Sequence, residues 1–546
     1  MEYYDILLVV LQLVFCVLLF LLAGFAEKRI SSKWRICYVM PVIVTLLIIT
    51  FAGFEKYLLG TYIAAILLIA GMIKDNKNIR RIFCGIAAVS TLVSVPLCLV
   101  NTDYRAYDYA EDFKFGFEKM ERHYVLSEHK NIDWDALYEE YYPQFSELNR
   151  TQDETENLAL WTKFCAEFND GHVGYVPVND YETKIAEVYD RVMGNDYGLA
   201  LMTLTDGRTA AVNVAEDSEA AQTGIHNGTI ITSWDGVAPA ELNGTALEYI
   251  TFADKDNREF YRALFSAGTG GDSITVTFID DSGNEKSAVL QKIGAYYSGR
   301  LKSAIEIIDQ GIETGHLMWE DIDDNTCAFR LKMMMADSKS DESGDYSSVQ
   351  YTITSKLEEM KAAGKDHVIL DMRGNSGGSG EMVKAIASVF APVGEHYYCT
   401  DPLWDDLEDR YETDENGRFI KYKDNFVTGE GLWDGKVTIL VNANSVSAAD
   451  HLVSVMQGMP NVTVMGFTES NGSAQGIGTF MFENDTVLSF SGSLLLDENG
   501  DVSVDSSAED MESGNDIDIY IPFDEEAVAA LFDRGEDYLL TKALER

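Results

Sequence analysis

Apolar residues form four long runs in the first hundred residues, at about 5–25, 36–54, 57–73 and 82–100. Each run approaches the roughly 20 residues that an α-helix needs to cross a bilayer. A cleaved signal peptide accounts poorly for the first run, because the run is long, follows acidic residues and precedes three more. We therefore predict four transmembrane helices within residues 1–100.

The basic residues between these runs predict the orientation of the helices. The first and third connections each carry four Lys or Arg residues, whereas the second carries only Lys56. Because cationic loops stay in the cytoplasm, residues after about 101 are expected on the extracytoplasmic side. The pattern therefore predicts a multi-pass plasma-membrane protein whose larger part lies outside the cytoplasm.

The pattern after residue 100 changes three times. Residues 101–185 show helical spacing of aromatic and aliphatic positions, and Thr151 with Glu154 predicts a capping box. Residues 190–292 carry short alternating runs separated by Gly, Asp and Asn, which predicts a strand-rich module. From about residue 300 to 546, apolar strands alternate with amphipathic helices, which predicts an α/β domain with a largely parallel sheet. Residues 401–430 are acidic and aperiodic and are interpreted as a surface loop or lid.

The charge balance excludes some classes of partner. The chain has 42 Lys and Arg against 89 Asp and Glu, of which nine and five lie in the first hundred residues. The external part is therefore strongly acidic, which argues against nucleic-acid binding and against docking on anionic lipid. Three cysteines are scattered through that part without metal-ligand spacing, so neither a disulfide framework nor a zinc site is predicted.

Ser447 is the first candidate for chemistry. It follows an apolar strand and stands at the first turn of an amphipathic helix, where a side chain is exposed at the sheet edge. Backbone amides at such a helix start can stabilise an oxyanion. The alternative is that Ser447, or Ser445, is only a helix N-cap.

Two further segments could contribute to a site. ILDMRGNSGGSG is a strand followed by a glycine-rich turn, in which Gly377 and Gly378 allow close backbone approach; a phosphate loop or a plain tight turn are alternatives. NDGHVGYV places His172 in a turn between a helix and a strand, where a histidine can also be purely structural.

The combination and order of these segments resemble the carboxyl-terminal processing peptidases, or tail-specific proteases, and their tricorn-type relatives. The matching segments are Asp170–His172, a module that opens with Tyr197–Ala200, Asp371–Gly378 and Ser447–Asp450. The last position is Asp where the family has Glu. The resemblance covers roughly residues 105–546.

The resemblance implies a crotonase-like or Clp-protease-like α/β core and a PDZ-like module at 190–292. Such a module would bind the substrate's carboxyl-terminal tail as an added strand, through Gly198, Leu199 and Ala200. It also implies acyl transfer without a cofactor, in which Ser447 attacks and amides of Gly377 or Gly378 with Ala448 hold the oxyanion.

One departure from the family bears on the general base. The processing peptidases use a Lys about two dozen residues after the nucleophile, and this chain has no Lys between Ser447 and Lys542. The tricorn-type branch implies His172 as the base instead, and a neutral imidazole suits that role. His451, one helical turn after Ser447, is the rival, although its side chain should lie alongside the helix.

The tricorn-type branch also implies a carboxylate that orients the base. Glu512 is the candidate for this role, and Glu509, Asp510 and Asp516 are alternatives. The sequence thus predicts a serine endopeptidase that acts on polypeptides. It carries no signal for an oligomeric state.

Two other functions remain open at this point. The missing Lys is compatible with a non-catalytic descendant of the fold that binds peptides or apolar ligands. The four predicted spans could instead be the functional part, but they contain no internal charged residue that would mark a transport path.

Overall fold

The computed structural model describes residues 108–310, 317–336, 338–405, 410–513 and 515–546, together with Ile82 and Ile86. Residues 109–546 form one unit. Its helices are α1 Tyr109–His123, α2 Trp134–Thr151, α3 Glu154–Ala166, α4 Tyr181–Val192, α5 Glu219–Gln222, α6 Lys255–Ser266, α7 Lys302–Asp309, α8 Ser338–Ser343, α9 Ser347–Ala363, α10 Gly380–Phe390, α11 Ala448–Met456, α12 Glu525–Val528 and α13 Tyr538–Leu544.

The strands fall into a central sheet and several smaller ones. They are β1 Gly174–Pro177, β2 Asn195–Asp196, β3 Ala200–Thr203, β4 Thr209–Val212, β5 Ile230–Trp234, β6 Ser273–Ile279, β7 Glu285–Gln291, β8 Gly294–Ala295, β9 Met318–Asp321, β10 Thr326–Arg330, β11 His367–Asp371, β12 Gly394–Pro402, β13 Trp404–Asp405, β14 Arg410–Tyr411, β15 Lys421–Gly429, β16 Lys436–Leu440, β17 Val462–Gly466, β18 Gly476–Met481, β19 Thr486–Ser493 and β20 Ile519–Tyr520.

Helices α1–α3 pack around a cluster of aromatic rings, as the spacing of apolar residues predicts. The ring of Phe113 stacks on Phe145 at 4.3 Å between centroids and meets the edge of Phe164 at 5.2 Å. The predicted capping box at Thr151 is wrong, because Thr151 is the last residue of α2 and the following residue turns the chain with a left-handed conformation. Asp153 caps α3 instead, and its carboxylate accepts from the amide of Glu156.

The strand-rich module is an antiparallel sheet in the order β3-β4-β5-β6-β7. It also contains helix α6, which the alternating pattern does not predict. Asp254 caps α6 by accepting from the amides of Asp256 and Asn257. Two of its apolar side chains, Tyr261 and Leu264, are buried in the core of the module.

The α/β domain is built on a six-stranded sheet in the order β20-β17-β16-β11-β10-β9. Its pairs are parallel except β9 with β10, which confirms the predicted α/β organisation. Side chains alternate between two cores: Val368 and Leu370 of β11 face one apolar cluster, and Ile369 faces the other. The carboxyl ends of β11 and β16 therefore lie side by side, and both lead into candidate site segments.

The acidic insertion differs from the predicted aperiodic loop. Strands β12 and β15 pair antiparallel along their length, and the short strands β13 and β14 form a second hairpin beyond them. Exposed polar side chains fill most of β15, so the strand shows no apolar alternation. Its pairing rests on backbone hydrogen bonds, which hydropathy does not reveal.

The four predicted transmembrane helices lie outside the described residues, apart from Ile82 and Ile86. Within the described part of the chain, no helix is both long and apolar enough to cross a membrane.

Candidate functional site

Ser447 stands where the chain leaves the sheet after β16 and enters α11. Its backbone has φ 62° and ψ −118°, which is a strained conformation for a residue other than glycine. The amide of Ser447 donates to the carbonyl of Ser473 at 2.8 Å and to Oδ2 of Asp450 at 2.9 Å. A backbone carbonyl and a side-chain carboxylate therefore hold the amide of the nucleophile candidate in this geometry.

Asp450 occupies the position where the related peptidases have Glu. Its carboxylate is fully buried and accepts from the amides of Ser447, Gly472 and Ser473. Burial raises the pKa of this carboxyl to about 6, although the hydrogen bonds oppose the shift. Asp450 thus ties the loop 470–473 to the start of α11.

A buried ion network supports the glycine-rich turn after β11. Arg373 is wholly buried and pairs with Asp371 and with Asp537, each at 2.7 to 2.8 Å. Asn375 donates to the carbonyl of Leu331 and accepts from the amide of Gly377. The turn is therefore held by the buried side chains of Asp371, Arg373 and Asn375 and by the partly exposed Asp537.

The two glycines of this turn differ in what they can do. A Cβ on Gly377 would lie 2.5 Å from Cβ of Ser447, so only glycine permits this approach. Its amide is already engaged by Asn375. Within the described residues, no hydrogen bond is made by the amides of Gly378 and Ala448, which leaves this pair for an oxyanion.

His172 lies in the turn between α3 and β1 and is 6% exposed. Its Nδ1 is 3.4 Å from Oγ of Ser491 and 3.9 Å from Oδ1 of Asp170. Ser491 in turn donates to Oδ2 of Asp170 at 2.7 Å. Burial lowers the pKa of the imidazole, which the carboxylate of Asp170 partly counteracts.

Ser473 joins the turn that carries His172 to the loop of Ser447. Its Oγ accepts from the amide of Gly171 at 2.7 Å, and its carbonyl accepts from the amide of Ser447. No hydrogen bond links the side chains of Ser447 and His172 in the described part of the chain, and the buried Nε2 of His172 has no partner there. The structure thus brings the two segments together without closing the contact between the two side chains.

His451 is a residue of helix α11 and is buried, at 3% exposure. Its ring packs on Tyr398 with 4.8 Å between centroids, and burial lowers its pKa to about 4. This placement agrees with the expectation that the side chain lies alongside the helix.

Glu512 does not contact His172. It is exposed and pairs with Lys255 at the start of α6. The carboxylate near His172 is Asp170, which is buried, and the charge of Asp170 acts in turn on a second buried carboxylate, Asp505. Asp505 accepts from the amide of Ala474 at 2.8 Å, and burial together with the charge of Asp170 raises its pKa strongly.

The spacing of residues along the chain does not predict where the carboxylates of Asp170 and Asp505 lie. Asp170 was visible as part of the Asp-Gly-His turn, but its contact with His172 was not expected. Asp505 follows Val504, a β-branched residue with φ 66°, and no sequence pattern marks that strained turn.

The three predicted tail-binding residues are buried in the module. The amide of Gly198 donates to Oδ1 of Asp196 at 2.7 Å, and a Cβ on Gly198 would meet Cβ of Ser218 at 2.4 Å. Leu199 and Ala200 are at most 1% exposed. A substrate tail would therefore have to displace existing contacts at this segment.

No cluster of His, Cys, Asp and Glu able to hold a metal ion occurs among the described residues.

Comparison with known proteins identifies a family for the central part of the chain. Residues 330–510 match the sequence model of peptidase family S41. No curated protein has a significantly similar sequence.

Several solved structures resemble the chain at low identity. Mature CPAF in complex with lactacystin has 14% identity and a TM-score of 0.48, covering 80% of this chain and 97% of its own. The photosystem II D1 C-terminal processing protease has 13% identity and a TM-score of 0.32, covering 79% and 98%. The tricorn protease has 13% identity and a TM-score of 0.34, covering 81% and 36%.

The matched segment contains Asp371–Gly378 and Ser447, whereas His172 and Asp170 lie outside it. The chain is therefore a serine-type peptidase, a hydrolase, and its residues 330–510 match the model of peptidase family S41.

Proposed function

We propose that the protein is an endopeptidase in which Ser447 forms the acyl-enzyme and His172 is the general base. The observation that carries this proposal is Ser473, whose two oxygens hold the amides of Gly171 and Ser447 and so place the two segments side by side. The strained backbone of Ser447 also supports it, because such strain is typical of functional positions.

In the proposed reaction, Oγ of Ser447 attacks a peptide carbonyl and passes its proton to Nε2 of His172. The lowered pKa keeps the imidazole neutral, so that it can accept this proton near pH 7. The amides of Gly378 and Ala448 stabilise the oxyanion. The imidazolium then protonates the leaving amine, and water releases the acyl group by the reverse steps.

We further propose Asp170, with Ser491 beside it, as the group that orients His172. Asp170 approaches Nδ1 to 3.9 Å, whereas Glu512 is bound to Lys255. A substrate in the site must bring Nε2 and Oγ of Ser447 together, because catalytic hydrogen bonds often tighten only in the substrate complex.

Labelling with a fluorophosphonate serine probe tests this function. The purified protein should label, Ser447→Ala should not, and His172→Ala should label far more slowly, by roughly a thousandfold or more. His451→Ala is the matched control and should label at a rate close to that of wild type. A folded wild type that never labels would favour the non-catalytic binding protein instead.

We also propose that the strand-rich module receives the carboxyl-terminal tail of the substrate. Strand β3 is at the edge of the sheet order, which supports strand addition there, although Gly198, Leu199 and Ala200 are buried. Cleavage of one peptide with a free carboxyl terminus and with an amidated terminus tests this point. Equal rates would argue against tail recognition.

Membrane anchoring by residues 1–100 is proposed from hydropathy and basic loops alone. Fractionation of the full chain with membranes, followed by labelling of intact cells with a membrane-impermeant probe, tests both anchoring and sidedness. Recovery in the soluble fraction would contradict the anchor, and protection from the probe would contradict the orientation.

A further inference from the structure

A cavity of about 120 Å³ lies beside the candidate site, where the strand-rich module meets the loop of Ser447. Ala443 and Asn444, which precede Ser447 on its loop, line one side, and Asn471, close to Ser473, lines another. Its apolar walls come from Ile250, Phe252, Phe265 and Ile305. The cavity is therefore lined partly by the loop of Ser447 and partly by Asn471, which is close to the Ser473 that contacts the turn of His172.

The cavity also contains a buried carboxylate. Asp309 is 6% exposed, and its carboxylate accepts from the hydroxyl of Tyr261 at 2.6 Å and from the side-chain amide of Asn444. Within the described residues, Asp309 forms no ion pair. Arg373 is the cation whose charge acts on the pKa of Asp309, but it is paired with two other carboxylates, those of Asp371 and Asp537. Burial raises the pKa of Asp309 to about 6, so the group is mainly ionised at neutral pH. A buried anion without a cation is unfavourable, and a cation in the cavity would relieve this cost.

Asn257 lines the same cavity and carries an acceptor oxygen without a partner in the described part of the chain. Asn257 is 3% exposed, and its Nδ2 donates to the carbonyl of Ser470 at 2.8 Å. This bond orients the side chain, because the flipped amide would set two oxygens against each other. Its Oδ1 is buried and has no partner in the described part of the chain.

We propose that this cavity is a substrate subsite that takes the side chain of a lysine. The methylene stem would lie against the apolar walls, and the ammonium would donate to Asp309 and to Oδ1 of Asn257. A cavity of about 150 Å³ holds a benzene molecule, so the observed volume suits a single extended side chain. The acidic surface of the external part would attract cationic peptides. This inference rests on the proposed peptidase function and names its substrate class.

Quenched fluorescent peptides that differ at one position test the proposal. The varied position carries Lys, norleucine, Gln or Glu, and separate series of peptides place this variation at successive positions of the peptide. At one position, the wild type should cleave the Lys peptide with a kcat/KM roughly tenfold or more above that of the norleucine peptide. The isosteric variant Asp309→Asn should lose this preference, so that its kcat/KM values for the Lys and norleucine peptides become nearly equal.

A filling variant provides an independent check. Ile305→Phe should lower kcat/KM for both Lys and norleucine peptides at that position and leave fluorophosphonate labelling unchanged, because the probe needs no subsite. Ile307→Phe, on the same helix but outside the cavity, is the matched control.

The outcomes separate this inference from the proposed function. A wild type that labels but prefers norleucine to Lys would show an apolar subsite and overturn the proposal. A wild type that labels and shows no effect of Ile305→Phe or Asp309→Asn at any position would show that the cavity is not a subsite. A wild type that fails to label would refute the peptidase function itself.

Discussion

The two halves of the candidate site are built in different ways. The loop of Ser447 is held mainly by backbone groups and by neighbours at the ends of adjacent parallel strands, such as Asn375, whose carbonyl accepts from the amide of Val446. The turn of His172 is held by side chains far away in sequence, Ser473 and Ser491, which are about 300 residues further along the chain. The candidate nucleophile is thus placed by topology, and the candidate base is placed by tertiary packing.

This difference predicts how each half responds to a mutation. A rigid backbone frame cannot adjust to an added atom, whereas a contact made by a side chain can be relieved by truncating that side chain. The electrostatics differ as well. The carboxylate of Asp450, on the side of Ser447, accepts hydrogen bonds from three backbone amides. The charge of Asp170, on the side of His172, acts on a second buried carboxyl, that of Asp505.

The largest expected difference between the two halves is in how Gly377→Ala and Gly171→Ala affect the fluorophosphonate labelling rate. The new Cβ of Gly377→Ala would meet Ser447 at 2.5 Å and the carbonyl of Val446 at 2.7 Å, at a position with φ 82°. We expect a loss of at least about a hundredfold in fluorophosphonate labelling rate, because small displacements of reacting groups have effects of this size. In Gly171→Ala the Cβ would meet Oδ1 of Asn471 at 2.3 Å, which is a side-chain atom.

Truncation of that side chain distinguishes the two halves. Asn471→Ala should restore much of the labelling rate to Gly171→Ala and should not help Gly377→Ala. Equal rescue of both variants, or of neither, would contradict the contrast between a backbone frame and a side-chain contact.

Asp170→Asn should affect the rate less and change its pH dependence. The variant keeps the shape of the side chain but removes the charge that raises the pKa of His172. We expect labelling at pH 7 to fall by about ten- to a hundredfold, as for other groups that orient a functional histidine. The acid limb of the pH profile should move to lower pH, because burial alone then acts on the imidazole.

Glu512→Gln is the control for this prediction, since Glu512 pairs with Lys255 on the surface. A larger loss in Glu512→Gln than in Asp170→Asn would restore Glu512 as the orienting residue. An acid limb that moves to higher pH in Asp170→Asn would show that this carboxylate does not face the base.

Asp450→Asn should act on stability. The amide that replaces the carboxylate places an NH2 group among three N–H donors, so at least one buried donor loses its acceptor. We expect the free energy of unfolding to fall by about 1–3 kcal/mol, measured by urea denaturation. Asp414→Asn is the control, because that exposed carboxylate also accepts from two amides but water can replace it.

The same difference explains what could be predicted from the sequence. Strand and helix periodicity, together with glycine at 377 and 378, located the nucleophile side, because parallel strands bring their ends together by topology. Helix α6 and the β12–β15 hairpin were missed, since a cap at Asp254 and backbone pairing leave little trace in hydropathy.

The base side shows where sequence reasoning reaches its limit. The family resemblance implied His172, but its contact with Ser491 was not predicted, because Ser491 lies 319 residues further along the chain and approaches only when separate elements pack. Glu512 was chosen from its position near the end of the domain, and the structure places it beside Lys255 on the surface. Spacing along the chain carries no information on such long-range contacts.

The smallest expected effect is a pH dependence of stability that differs between the halves. Burial raises the pKa of Asp450 from 3.8 to about 6, so the folded protein retains a proton that the unfolded chain has already lost. Stability contributed by this group is present at low pH and declines as the pH rises from about 4 to 6. Burial and the charge of Asp170 raise the pKa of Asp505 further, so the stability that Asp505 contributes continues to decline above pH 6. Each contribution should be on the order of 1 kcal/mol after relaxation of the site. In urea titrations, Asp450→Asn should therefore flatten the pH dependence only between about pH 4 and 6, whereas Asp505→Asn should flatten it above pH 6 as well. If the two variants flatten the same range, the carboxyls on the two sides share one environment, and the electrostatic part of the contrast is wrong.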